Sequence, residues 1–374
     1  MFKLFISESS LEDFILNEQD KNVAQQDNWY KILQKQKNIY VLFDKNIDYS
    51  NLSVEEAQIN PLFLLLQSGK EFIDSTSYLK DIENHSKNVL DNPCGAFLLD
   101  IDKTKADDIQ KKYGVICQST NSLNGSFWKS DIYNAHISIS PNDKSHSWEE
   151  FLKGINNIPS NSLLIIDRYL FSYENDYKTT LEDGINNLFS ILNSLLPDSF
   201  SKSEDYHVML IFDGKELIEI KNSKFLFGDN SVHNIDECFA KLAKLISSKK
   251  KDLKRNYNIL FELVSLTSDN FGYSDTHNRR ILTNYCIIRA DHLLKAFKNN
   301  LGTCEQNIDC DTLFSTGIDK NTKSDAPEKA HSSLLTALRS VFDYAKGDAA
   351  PNYKYALNKN GEKSIKDLVN RLFL

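Results

Sequence analysis

Glycine is scarce in this chain, at 13 of 374 residues. No G-x-G-x-x-G and no P-loop pattern occurs, which argues against the common nucleotide-binding readings. H-E-x-x-H and G-x-S-x-G are also absent, which argues against zinc peptidases and serine hydrolases. No run approaches the ~18 apolar residues that suggest a bilayer span. The longest candidate, Pro61-Leu62-Phe63-Leu64-Leu65-Leu66, is far too short. The first residues turn acidic at Glu8 before any apolar stretch long enough for a signal peptide. A cytoplasmic protein with no membrane partner is therefore expected. Positive charge is in deficit too, with a formal net charge of −8. Proteins that coat nucleic acid non-specifically are usually basic overall, so a nucleic-acid role here needs a local basic patch on an acidic body.

The six cysteines are Cys94, Cys117, Cys238, Cys286, Cys304 and Cys310. Cys94, Cys117 and Cys286 lie within or beside apolar, strand-like runs and read as small core residues. Cys304 and Cys310 read as members of a polar loop. A zinc site would want a closer pair and matching histidines, so none is assigned. The pattern fits a reducing cytoplasm.

The remaining composition, 41% hydrophobic and 26% charged, is that of a soluble globular protein. The length predicts two or three domains. In the first 90 residues, Phe2–Ile6 and Ile39–Asp44 read as strands, Trp29–Gln36 as a helix, and Ser53 with Glu56 as a capping box opening another helix. Residues 91–158 form a second unit, possibly one domain with the first. It holds strand Ala96–Asp100, helix Thr104–Tyr113 and strand Gly114–Cys117, a βαβ signature. The alternating run Ala135–Ser140 suggests a half-exposed strand.

Residues 159–300 form a further α/β domain. Strands are expected at Leu163–Asp167, Val208–Asp213 and Ile259–Val264. One intervening helix carries Leu181, Ile185, Leu188, Leu192 and Leu195, and another carries Ile235, Phe239, Leu242 and Ile246. Residues 301–374 are expected to be a loop followed by C-terminal helices, Glu328–Ala345 and Ser364–Leu372. The fold class is α/β, multi-domain, with mostly parallel sheets flanked by helices.

Three groups of residues carry candidate chemistry. His277, Arg279 and Arg280 stand before the apolar run Tyr285–Ile288. Histidine changes charge near neutrality and can act as acid, base or nucleophile. Arginine recognises phosphate bidentately. The second group is the acids at strand ends, Asp44, Asp100 with Asp102, Asp167 and Asp213. Asp100, Asp102 and Asp167 are the alternative magnesium ligands for phosphodiester hydrolysis; the primary expectation is no cofactor. The third is the basic stretch Lys244 to Arg255, with Lys249, Lys250, Lys251, Lys254 and Arg255 as phosphate or nucleic-acid contacts, joined to Arg279 and Arg280 in one phosphate-tracking face.

The stretch Thr276-His277-Asn278-Arg279-Arg280-Ile281-Leu282-Thr283-Asn284-Tyr285 resembles the phospholipase D-like module related to the MIT C-terminal domain, whose signature is H-D-R-x-I-x-T-[DN]. The resemblance covers roughly residues 160 to 300, and Asn278 stands where that family commonly has aspartate. It implies a phospholipase D-like fold without the duplicated catalytic set, because only one H-x-R motif is present. That favours phosphate or partner binding. Bacterial proteins carrying such modules resemble components of mobile-element or phage-defence systems. The expectation is a nucleic-acid or phosphate-binding accessory protein of such a system, with DNA or RNA as partner and a protein partner from a defence complex as a further one. The alternatives are a nuclease, metal-dependent through the aspartates or metal-free through His277, and a structural interaction protein.

Overall fold

The computed structural model describes residues 2–10, 38–42, 53–59, 71–74, 89–119, 136–141, 143, 147–171, 181–219, 224, 226–227, 232–266, 279–291, 294, 297, 304, 306–314, 327–346, 355–357, 361–362 and 367–373. Asp44, the helix expected at Trp29–Gln36, His277 and Asn278 lie outside the described residues. The chain divides into two compact units, residues 1–134 and 135–373. It is an α/β protein with parallel strands flanked by helices.

The first unit is built on five parallel strands, β1 (Lys3–Ser7), β2 (Asn38–Leu42), β3 (Glu71–Asp74), β4 (Gly95–Leu99) and β5 (Ile116–Ser119), in the order β3-β2-β1-β4-β5. β1 pairs with both β2 and β4, so residues on either side of position 90 share one sheet. β4 is buried at every position, as a parallel strand covered on both faces must be. Helix α1 (Val54–Ile59) starts just after Ser53. Helix α2 (Lys103–Tyr113) crosses from β4 to β5 and buries the expected face, Ala106, Ile109 and Tyr113. Gly114, expected inside the next strand, instead ends α2 at φ 61°, where glycine carries no Cβ penalty.

The second unit holds an eight-stranded sheet, in the order β13-β9-β8-β7-β10-β11-β12-β6. Its parallel centre is β7 (Ser162–Ile166), β8 (Tyr206–Phe212) and β9 (Ile259–Ser265). Helix α4 (Leu181–Leu195), preceded in the chain by α3 (Trp148–Leu152), buries Leu181, Ile185, Leu188 and Leu192. Short α5 (Gly214–Ile218) and long α6 (Ile235–Lys250) connect β8 to β9. Asn234 caps α6 through Glu237 N at 2.9 Å, and Glu237 reaches back to His233 N.

The other strands are antiparallel, so this sheet is mixed and not mostly parallel. β10 (Arg279–Thr283) pairs with β7, then with β11 (Cys286–Ala290), which pairs with β12 (Ile308–Thr312), and β12 with β6 (His136–Ile139). The segment from 301 onward, expected as loop and helices, therefore supplies β12 and also β13 (Tyr355–Leu357) on β9. Helix α7 (Pro327–Lys346) matches its expected position, whereas the last turn described is a 3-10 turn at Arg371–Phe373. Cys304 and Cys310, expected in a polar loop, are buried; Cys310 lies within β12, and all six cysteines are free and buried. Residues 136–158 join the second unit because β6 zips onto β12 and Trp148 donates to Asn187 of α4 at 3.3 Å.

Candidate functional site

Arg279 and Arg280 form the first two residues of β10. Successive side chains of a strand point to opposite faces, so the two arginines separate. Arg279 is buried at the carboxyl end of β7, with Nε 3.8 Å from Asp167 Oδ1. Its guanidinium also lies over the Tyr169 ring, 5.7 Å from the centroid, and that of Arg168 is 5.1 Å from the same ring.

Asp167 is buried and organises the loop after β7. Its Oδ1 accepts from Tyr169 N and its Oδ2 from Leu294 N, both at 2.9 Å. Arg168 pairs with Glu216 at 2.7 Å and approaches Asp213 at 3.6 Å. Asp213 caps α5 by accepting from Lys215 N at 3.0 Å, so the Asp213-Gly214 pair that follows β8 is a helix start. Burial pushes the Asp213 carboxyl above its ordinary range, against the Lys215 amide and the Arg168 charge. Gly214 is needed here, because a Cβ would meet Ile235 Cδ1 at 2.6 Å and Ser265 Oγ at 2.8 Å. The carboxyl ends of β7 and β8 thus carry a compact network of three acids and two arginines.

Arg280 faces the other way. It stands directly opposite Arg289 of β11, which stands opposite Asp309 of β12, which stands opposite Ser138 of β6. The next row on that face is Leu282, Ile287, Asp311 and His136. Asp311 is buried and ion-paired with Arg289, and its Oδ1 lies 2.7 Å from His136 Nδ1. The His136 side chain is 53% exposed. Sequence reasoning missed this group, because its members come from four strands spread over 176 positions, counting from 136 to 311. The alternation His136-Ile137-Ser138-Ile139 was its only local signal.

The remaining motif residues hold the β10–β11 turn. Asn284 is buried; its Oδ1 accepts from Asn161 N at 2.9 Å and Ser162 N at 3.2 Å, and its Nδ2 donates to Asn161 Oδ1. Thr283 Oγ1 accepts from Tyr285 N and Cys286 N, and the Thr283 carbonyl accepts from buried His331. These two positions build the scaffold.

The basic stretch lies elsewhere. Lys250 donates to Asn258 at 2.9 Å, just before β9 begins, and Lys249 bonds Asn186. Arg255 donates to the Asn193 and Leu196 carbonyls at 3.0 Å, completing the C-terminus of α4. Lys251 and Lys254 are exposed. This is the amino end of the parallel strands, whereas Arg279 sits at their carboxyl end. At roughly 3.3 Å per residue the seven residues of β8 set these ends about 20 Å apart. The single phosphate-tracking face expected from sequence is therefore two separate regions.

The alternative metal ligands are divided as well. Asp100 and Asp102 belong to the first unit, where Asp100 N donates to Ser7 Oγ at 3.0 Å and Asp102 is the residue preceding α2. Asp167 belongs to the second and is committed to two amides and Arg279. Among the described residues no group of three or more His, Cys, Asp or Glu side chains is placed to hold one metal ion. No helix among them is long and apolar enough to cross a membrane. In comparisons with known proteins, no family model and no curated relative matches this chain.

Proposed function

We propose that the chain binds phosphate-bearing ligands, DNA or RNA, through the polar face of β10 and β11. The observation that carries this reading is the cross-strand pair Arg280–Arg289. Like charges placed directly opposite on a sheet are destabilising; a phosphate bound between the two guanidinium groups would turn that repulsion into attraction, and their geometry suits it. The resemblance of residues 276–285 to the phospholipase D-like module supports an accessory role in a bacterial defence or mobile-element system. The six free, buried cysteines support a cytoplasmic setting.

Filter binding of labelled DNA and RNA across a salt series of about 50 to 200 mM tests the reading. Affinity should fall steeply with salt, and the Arg280→Ala/Arg289→Ala double variant should bind at least about tenfold more weakly. Retention that ignores salt, or that survives the double variant, would sink it.

A nuclease is the second reading. Asp213 favours it, because a carboxyl raised above its ordinary range at the carboxyl edge of a sheet is suited to proton transfer. Incubation with labelled DNA and RNA, with and without EDTA, separates metal-dependent from metal-free cleavage. Neither binding nor cleavage would leave a protein-interaction role.

A further inference from the structure

We infer that His136, held by Asp311 beside Arg289, is an acid–base group for metal-free hydrolysis of a phosphodiester; this rests on the phosphate-binding reading of the same face. Asp311 is engaged by Arg289 and therefore an ionised, acceptor-only carboxylate. Its 2.7 Å contact thus fixes the proton of His136 on Nδ1. The basic nitrogen is then Nε2, on a side chain that is 53% exposed. A carboxylate that fixes tautomer and ring orientation is the arrangement by which an imidazole serves as general base and then general acid. Arg289 and His136 engage the two oxygens of one carboxylate, so guanidinium and imidazole are neighbours. Arg289 grips the phosphate while His136 addresses the attacking water.

The step balances with water as the only co-reactant. His136 Nε2 accepts one proton from water as the water oxygen bonds to phosphorus. The bond from phosphorus to the ester oxygen breaks, and its electron pair leaves with that oxygen. The departing oxygen takes a proton from solvent, to which His136 returns its own, giving a phosphate monoester and an alcohol. Asp311 does not touch the reacting atoms and is a positioning residue.

The chain is incubated with bis(p-nitrophenyl) phosphate in EDTA, and nitrophenolate release is followed. Release should fall at least about a hundredfold in His136→Ala, the scale of a lost acid–base group. Added imidazole should restore part of it, which a merely structural role would not permit. Asp311→Asn should lower kcat, and the carboxylate-retaining Asp311→Glu should recover part of it. His136 lies on an edge strand and is exposed, so the alanine variant should fold, as circular dichroism would verify. No release by the parent chain, or release undiminished in His136→Ala, overturns the inference. The nucleic-acid filter assay is scored separately: binding without hydrolysis refutes this step alone, whereas loss of both refutes the phosphate-binding reading too.

Discussion

Arg279 and Arg280 are adjacent in the chain and stand on opposite faces of β10, one beside buried Asp167 and one opposite Arg289. Two neighbouring arginines on a loop could close on a single phosphate. On a strand the period of two prevents it, so Arg279 belongs to the buried network and Arg280 to the face proposed to bind phosphate.

That division predicts different phenotypes. Asp167→Ala removes the buried carboxylate that pairs with Arg279 and accepts from the amides of Tyr169 and Leu294. It should cost ~3–5 kcal/mol, the usual scale for breaking a buried pair. Arg280→Ala removes one of two opposed like charges and should change stability by no more than about 0.5 kcal/mol. Urea unfolding of both variants checks this. Equal losses would show that Arg280 is structural as well.

Asn284 is expected to behave as a scaffold residue. Its amide satisfies the backbone N–H groups of Asn161 and Ser162 at the start of β7. Asn284→Ala leaves both buried donors unpaired, at a cost of ~2–4 kcal/mol. Denaturant midpoints would record the loss, while nucleic-acid binding per folded molecule should stay at the parental level.

His331 makes stability sensitive to mild acid. Burial lowers its imidazole from 6.5 to about 4, with the bond to the Thr283 carbonyl acting in the opposite direction. Between these values the unfolded chain binds the proton that the folded chain refuses. The contribution is therefore complete above pH 6.5 and is lost as pH falls toward about 4. The full effect is ~3 kcal/mol. Unfolding free energies measured at intervals from about pH 7 to pH 4 should show this decline, and His331→Gln should flatten it.

Local chemistry in the sequence determined much of the architecture. Apolar runs marked β4, β7 and β8, because parallel strands buried on both faces show few polar positions, and β9 was marked despite the buried Glu262 at its centre. The 3.6-residue periodicity placed α2, α4, α6 and α7. β12 escaped because Ile308-Asp309-Cys310-Asp311-Thr312 alternates over only five residues and resembles a polar loop. The arginine motif was legible as a cluster, but its split by strand alternation was not, since nothing local marked residues 279–283 as a strand. Tertiary structure alone decided that Asp311 of one strand lies between Arg289 and His136 of its two neighbours. Strand order is set by long-range pairing, and no local pattern records which strands will meet.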